Sequence, residues 1–257
     1  MEELESALQL VDGYVAATAL IFIRVGAVMA LLPAFGEEAI PARVKLGATI
    51  AFSMIVVPIV LPRYAEDIDQ GQFLKMIGPE VVAGLILGIL FRFFVIALQV
   101  AGTVAGQSTS LAQIFGAGVG AEPQPTFSTL LVMAGVCLAV MSGLHVYAVQ
   151  ALILSYDLFP PGRAIPSFDL YNWGVTKVAA SFALGFTLAG PFVLVSVVYN
   201  LGLGVINRAM PQLMVAFVGA PAISFGGLAL LLIVAPFLLD VWRNAFEAGV
   251  DLNRDAF

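Results

Sequence analysis

Residues Gly78–Ala105 read GPEVVAGLILGILFRFFVIALQVAGTVA, an apolar stretch interrupted by two charges, Glu80 and Arg92. An α-helix rises about 1.5 Å per residue, so this stretch exceeds what a hydrocarbon core of about 30 Å requires. Further apolar runs flank it, at about Tyr14–Phe35, Val44–Leu61, Phe127–Leu154, Val175–Ile206 and Leu213–Leu239, with short polar breaks between them. Hydrophobic residues make up 61% of the 257-residue chain and charged residues 11%, for a mean hydropathy of +1.02. Soluble domains are about a quarter charged. The expectation is an all-α membrane protein of about six mostly apolar helices arranged as hairpins.

The breaks are loops, too short to hold a soluble catalytic domain. A formal charge of −6 argues against a nucleic-acid partner, which requires dense Lys and Arg. The start, Met1-Glu2-Glu3-Leu4-Glu5, is acidic where a secretory leader is basic, so the first run is expected to be a retained helix. The single cysteine, Cys137, is expected to be a small core residue. Lys and Arg are unevenly shared between alternate loops. Arg43, Lys45 and Arg208 lie on one side; Arg63, Lys75, Arg163, Lys177, Arg243 and Arg254 lie on the other. That bias favours both termini in the cytoplasm.

Helix breakers lie in or beside the runs: Pro58, Pro79, Pro191, Pro211, Pro221 and Pro236. One proline in a membrane helix is ordinary, but together they predict kinked helices packed inside an assembly. Small residues recur four apart, as Gly102 and Gly106, and as Gly135, Ala139 and Gly143. In the third run Glu80, Gly84, Gly88 and Arg92 share one i, i+4 face. That face is expected to meet protein, either within the chain or in a neighbouring subunit.

Two arginines, Arg24 and Arg92, stand near the middles of their runs, where each costs about 2.5–3.5 kcal/mol on insertion scales. No acid lies at matching depth in another run. Pairing with backbone carbonyls, with another chain or with a loop acid such as Glu122, and a position outside full bilayer depth, all remain open. The same lack of buried acids disfavours an ion-coupled transporter. His145 is the lone histidine of the runs, and Asp240 lies at the end of the last one. No ligand spacing for a metal is present. Gly116-Ala117-Gly118-Val119-Gly120 lacks the Gly-Lys-Ser/Thr ending of a phosphate loop, and no Gly-x-Ser-x-Gly elbow occurs. Neither an enzyme nor a cofactor is expected.

Gln107–Thr126 reads QSTSLAQIFGAGVGAEPQPT. Its centre, Leu111 to Val119, is apolar and glycine-rich without a helical or strand period. It suits either a movable cavity-filling segment or a loop resting on the membrane surface. Beyond the last run, Asp240, Arg243, Glu247, Asp251 and Arg254 recur at helical spacing opposite Trp242, Ala245, Phe246 and Gly249. This tail is expected to be an amphipathic helix, solvated or in contact with protein.

Several motifs resemble one family. They are Arg24-Val25-Gly26 through Pro33, then Ile40-Pro41-Ala42-Arg43-Val44-Lys45-Leu46-Gly47, and above all Gly202–Leu213, GLGVINRAMPQL, continuing to Val218-Gly219-Ala220-Pro221. Gly143-Leu144-His145, Ser155-Tyr156, Pro160 and Gly162 add to it. The chain resembles, from about residue 14 to 240, the FliR/SctT family of type III secretion export-gate proteins. The resemblance implies a FliP-like part over 1–174 fused to a FliQ-like helical hairpin over 175–257. It implies a structural channel subunit in the bacterial inner membrane at the flagellar basal body, passing unfolded secretion substrates. Implied partners are FliP-like and FliQ-like subunits, with FlhB-like and FlhA-like export proteins. ATP hydrolysis would belong to a separate protein, and the gate would sit largely above the bilayer plane. The segment 107–126 becomes a channel plug, with Leu111, Ile114, Phe115, Gly116, Gly118 and Val119 as its gating residues. Asn207, Arg208, Pro211 and Gln212 become a structural turn or subunit contact, and Arg24, Gly84, Gly88 and Arg92 structural or contact residues. The alternatives are an injectisome gate subunit, a small-solute secondary transporter acting alone or as a homodimer, and, distantly, an embedded enzyme.

Overall fold

The computed structural model describes residues 2–64, 73–109, 126–163, 165–210 and 215–250. The described residues form seven α-helices: α1 Glu2–Leu31, α2 Ala42–Tyr64, α3 Phe73–Thr109, α4 Thr126–Met141, α5 Leu144–Leu158, α6 Ser167–Ala209 and α7 Val215–Val250. Five of them, α1, α2, α3, α6 and α7, are long and apolar enough to cross a membrane.

Local chemistry sets the boundaries. The first run stops at Leu31 rather than Phe35: Ala34 takes φ +67°, a left-handed conformation that a right-handed helix does not continue through. Pro41 opens α2, its carbonyl accepting from the amides of Val44 (2.9 Å) and Lys45 (3.2 Å). Lys45 Nζ reaches back 3.0 Å to the Gly36 carbonyl, and Phe35 meets Phe52 edge-on at 5.9 Å. The connection is thus a closed corner, and α1 packs on α2.

The fourth run departs from expectation. It is broken at Ser142–Gly143 into α4 and α5, each too short to cross a bilayer alone. Gly143 adopts φ +91°, a left-handed conformation that cannot propagate a right-handed helix. The expected amphipathic tail is helical as far as Val250, as the last part of α7. α7 runs on without a break to Val250, burying Trp242, Phe246 and Val250 one turn apart. Asp251 and Arg254 lie outside the described residues.

The described chain divides into two compact units. The first takes residues up to Phe93, Ala139–Lys177 and those from Glu247 onward; the second takes Phe94–Leu138 and Val178–Phe246. In the first, Val25 and Val28 of α1, Leu32 just after it, Val56 of α2, Leu87 and Phe91 of α3, and Leu152 of α5 are buried. In the second, Leu98 and Ala101 of α3, Leu188 and Phe192 of α6, and Trp242 and Phe246 of α7 are buried. Trp242 stacks on Phe246 at 5.4 Å while its Nε1–H donates to the Phe94 carbonyl at 2.8 Å, so the indole's polar group is satisfied. Both units are discontinuous in sequence. They describe packing within this chain, a different matter from the likeness-based division at residue 175.

Within the first unit α1 and α3 run in the same direction in close contact. A Cβ on Gly84 would meet the Arg24 carbonyl oxygen at 2.5 Å and the Ala27 Cβ at 2.6 Å; one on Gly88 would meet the Leu31 Cβ at 2.7 Å. Backbone cannot yield as a side-chain tip can. Gly84→Ala is expected to destabilise the detergent-solubilised chain by about 1–3 kcal/mol. Gly47→Ala, on an open face of α2, is expected to gain about 0.5–1 kcal/mol from helix propensity. Thermal unfolding followed by circular dichroism reads both.

Candidate functional site

The densest polar constellation is built on Arg24, which is 1% exposed beside a fully buried Glu80. Arg24 Nε donates to Glu80 Oε2 at 2.7 Å and Nη2 donates to Oε1 at 3.0 Å, a bidentate pair. Nη2 also donates to the Phe159 carbonyl at 2.9 Å, and Nη1 donates to Ser155 Oγ at 3.1 Å. Ser155 Oγ in turn donates to the Leu152 carbonyl at 2.6 Å. The guanidinium carbon lies 3.8 Å from the centre of the Tyr156 ring, a cation–π contact in a site closed to water. One side chain of α1 thereby fastens α3, α5 and the corner after α5.

The Glu80, Gly84, Gly88, Arg92 face of α3 is the other half of this arrangement. Glu80 takes Arg24, Gly84 lies on Arg24 and Ala27, Gly88 lies on Val28 and Leu31, and Arg92 Nη1 reaches Glu37 Oε1 at 2.9 Å. The face meets α1 and the corner after it, in the same chain. The expectation that no acid in another run matches the arginines in depth is overturned for Arg24, which pairs with Glu80; Arg92 pairs with Glu37, a loop acid, as one of the open alternatives had it. Glu80 stands near the start of its run and Arg24 in the middle of its own. Close approach at Gly84, together with two long side chains, spans that offset. Glu37, Ser155 and the Phe159 carbonyl went unread as partners. Ser155-Tyr156 was visible only as a motif, and a backbone carbonyl leaves no trace in sequence.

The remaining expected site residues lie apart. Asn207 and Arg208 are exposed in the last turn of α6, so they are helical and not part of a turn. There the Arg208 charge complements the helix dipole. Leu111, Ile114, Phe115, Gly116, Gly118, Val119, Pro211 and Gln212 lie outside the described residues, as does Glu122. Cys137 is exposed on α4, not a core residue. His145 is exposed in the first turn of α5. Among the described residues no three His, Cys, Asp or Glu side chains gather as metal ligands. An open apolar groove of about 990 Å³ runs between α1 and α2, lined by Val15, Phe22, Ile50, Met54 and Pro58 among others. It offers surface, not chemistry.

The pair's energetics follow from its burial. A bidentate, fully hydrogen-bonded pair roughly offsets its own desolvation, whereas one orphaned partner does not. Arg24→Ala or Glu80→Ala alone is expected to cost about 3–5 kcal/mol, and the apolar double replacement Arg24→Met/Glu80→Leu less than either single change. Arg92→Ala, at a pair 33% and 41% exposed, should cost about 0–1 kcal/mol. A double-mutant cycle on thermal stability checks the set.

Residues 15–249 match the family described as bacterial export proteins, family 1. The chain is 33% identical to the flagellar biosynthetic protein FliR of Caulobacter vibrioides, over 93% of this chain and 95% of that protein. It is 26% identical to FliR of Bacillus subtilis, over 92% of each. It is 23% identical to the Yop proteins translocation protein T of Yersinia pestis, over 89% of this chain and 88% of that one.

Proposed function

The chain belongs to the bacterial export proteins, family 1, and from that premise we propose that it is a structural, channel-forming subunit of a type III secretion export gate. It works in the bacterial inner membrane at the flagellar basal body, where unfolded flagellar proteins leave the cytoplasm. It forms part of the path and has no catalytic step of its own. The 33% identity to a flagellar relative, against 23% to the Yop translocation protein and 26% to the secretion system apparatus protein SsaT of Salmonella typhimurium, favours the flagellum over an injectisome.

The carrying observation is a mismatch of lengths. α6 has 43 residues, which at 1.5 Å each is about 64 Å, twice a hydrocarbon core of about 30 Å. Its apolar span is Leu170–Ala209, and Leu194, Val198, Leu201 and Val205 are all exposed in the single chain. α3 and α7, with 37 and 36 residues, reach about 55 Å. Lipid can cover about half of such a helix; the rest of its apolar surface has to meet protein. A subunit enclosed by FliP-like and FliQ-like neighbours meets that demand, with FlhB-like and FlhA-like proteins beside the gate. A transporter acting alone does not.

In this reading residues 1–174 are the FliP-like part and 175–257 the FliQ-like hairpin, which α6 from Val175 onward and α7 supply. Leu111, Ile114, Phe115, Gly116, Gly118 and Val119 close the resting channel. Asn207, Arg208, Pro211 and Gln212 contact a neighbouring subunit. The exposed Arg208 and the apolar α1–α2 groove are surfaces such neighbours would cover. Replacing Leu111–Val119 by a shorter Gly/Ser link is expected to raise ion leakage through the assembled gate. Arg208→Ala is expected to lower the yield of assembled gate. Unchanged leakage contradicts the plug; normal assembly and export contradict the contact.

A further inference from the structure

In the part of α3 that belongs to the second unit, from Phe94 to Thr109, the exposed residues are Gln99 and Gln107, and no others. Thr103, half-buried, stands midway between them. The spacing i, i+4, i+8 sets all three on one line of the helix. α4 and α6 flank that line. On one side a Cβ at Gly102 would meet the Ser128 amide nitrogen of α4 at 2.6 Å; on the other a Cβ at Gly185 of α6 would meet Val100 Cβ at 2.9 Å. The open strip is what those two helices leave between them. It carries two amides and a hydroxyl, where the exposed line of α6 carries Leu194, Val198 and Leu201.

That chemistry narrows what the strip meets. Hydrocarbon gives an amide nothing to bond with. A packed neighbouring helix has its backbone groups already bonded, so it can answer a glutamine only with a side chain of its own. An extended polypeptide offers an unpaired N–H and C=O at every residue, and a glutamine side chain both donates and accepts. The periods also agree. Four residues of α3 rise about 6 Å, and two residues of an extended chain rise about 6.6–6.8 Å. Alternate residues on one edge of such a chain would therefore come level with Gln99, Thr103 and Gln107 in turn. The accumulated mismatch of about 1–2 Å is within the reach of a glutamine. None of the three side chains is charged, so the strip favours no particular sequence.

We propose that Gln99, Thr103 and Gln107 line the path of the export substrate and hydrogen-bond the backbone of the unfolded chain as it passes. The proposal rests on the export-gate reading and adds which face of this subunit the substrate meets.

The test uses the intact gate, assembled with its partner subunits in cells. A flagellar export substrate fused to a tightly folding domain stalls in transit. Gln99, Thr103 and Gln107 are replaced one at a time by the photoreactive p-benzoylphenylalanine, with Leu194 of α6 as the comparison. Illumination is expected to join the stalled substrate to the three strip positions and not to Leu194. A substrate that co-purifies with the gate but joins none of the three, or joins them no more than Leu194, overturns the path assignment and leaves the gate standing. Adducts from the three with a neighbouring subunit or lipid alone do the same. A substrate that never co-purifies with the gate overturns both. Gln99→Leu with Gln107→Leu removes the amides at similar bulk. It is expected to lower export of the unfused substrate about fivefold, the population change that one lost hydrogen bond produces. Wild-type export by that double variant overturns the hydrogen-bonding role. If it fails to assemble, the adducts decide.

Discussion

A guanidinium enclosed by apolar helices needs its hydration replaced by protein groups, and Arg24 has them. Two carboxylate oxygens, a hydroxyl, a backbone carbonyl and an aromatic face surround it. The contacts come from three parts of the first unit, α3, α5 and the corner after α5, so the pair is a register mark as much as a bond. Sliding α1 along α3 by one turn would strand both charges. Gly84, one turn from Glu80, admits the α1 backbone that the bidentate contact requires. The α1–α3 contact and the α5 corner are therefore specified together. Buried ion pairs are weak sources of net stability, and fixing register is among their best-attested uses.

That internal fastening contrasts with the outside of the molecule. α6 and α7 carry large exposed apolar side chains along much of their length, Leu194 and Leu232 among them. A chain whose polar groups are satisfied inward and whose apolar groups face outward is completed by its surroundings. Helices about 55–64 Å long are too long for a bilayer to be the whole of those surroundings.

Much of this was legible in sequence. The run at Gly78–Ala105 gave α3 its place, and the four-residue recurrence of Glu80, Gly84, Gly88 and Arg92 marked a face that meets protein. Periodicity could not supply the partners. Glu80 and Arg24 stand at different depths in their own runs, and depth in a run ignores both helix offset and side-chain reach. The break at Gly143 was hidden because serine and glycine are tolerated inside membrane helices; the glycine was read as part of a small-residue stripe, while the backbone uses it for a positive φ. Cys137 was placed in a core because an apolar run does not reveal which of its faces is covered.

The most direct measurement is the mass of the particle this chain occupies. Extracted in mild detergent from cells producing it at native level, the intact complex can be weighed by native mass spectrometry. The account predicts a heteromeric particle containing this chain together with FliP-like and FliQ-like subunits. A chain that emerges alone, or only as a homodimer, would contradict it.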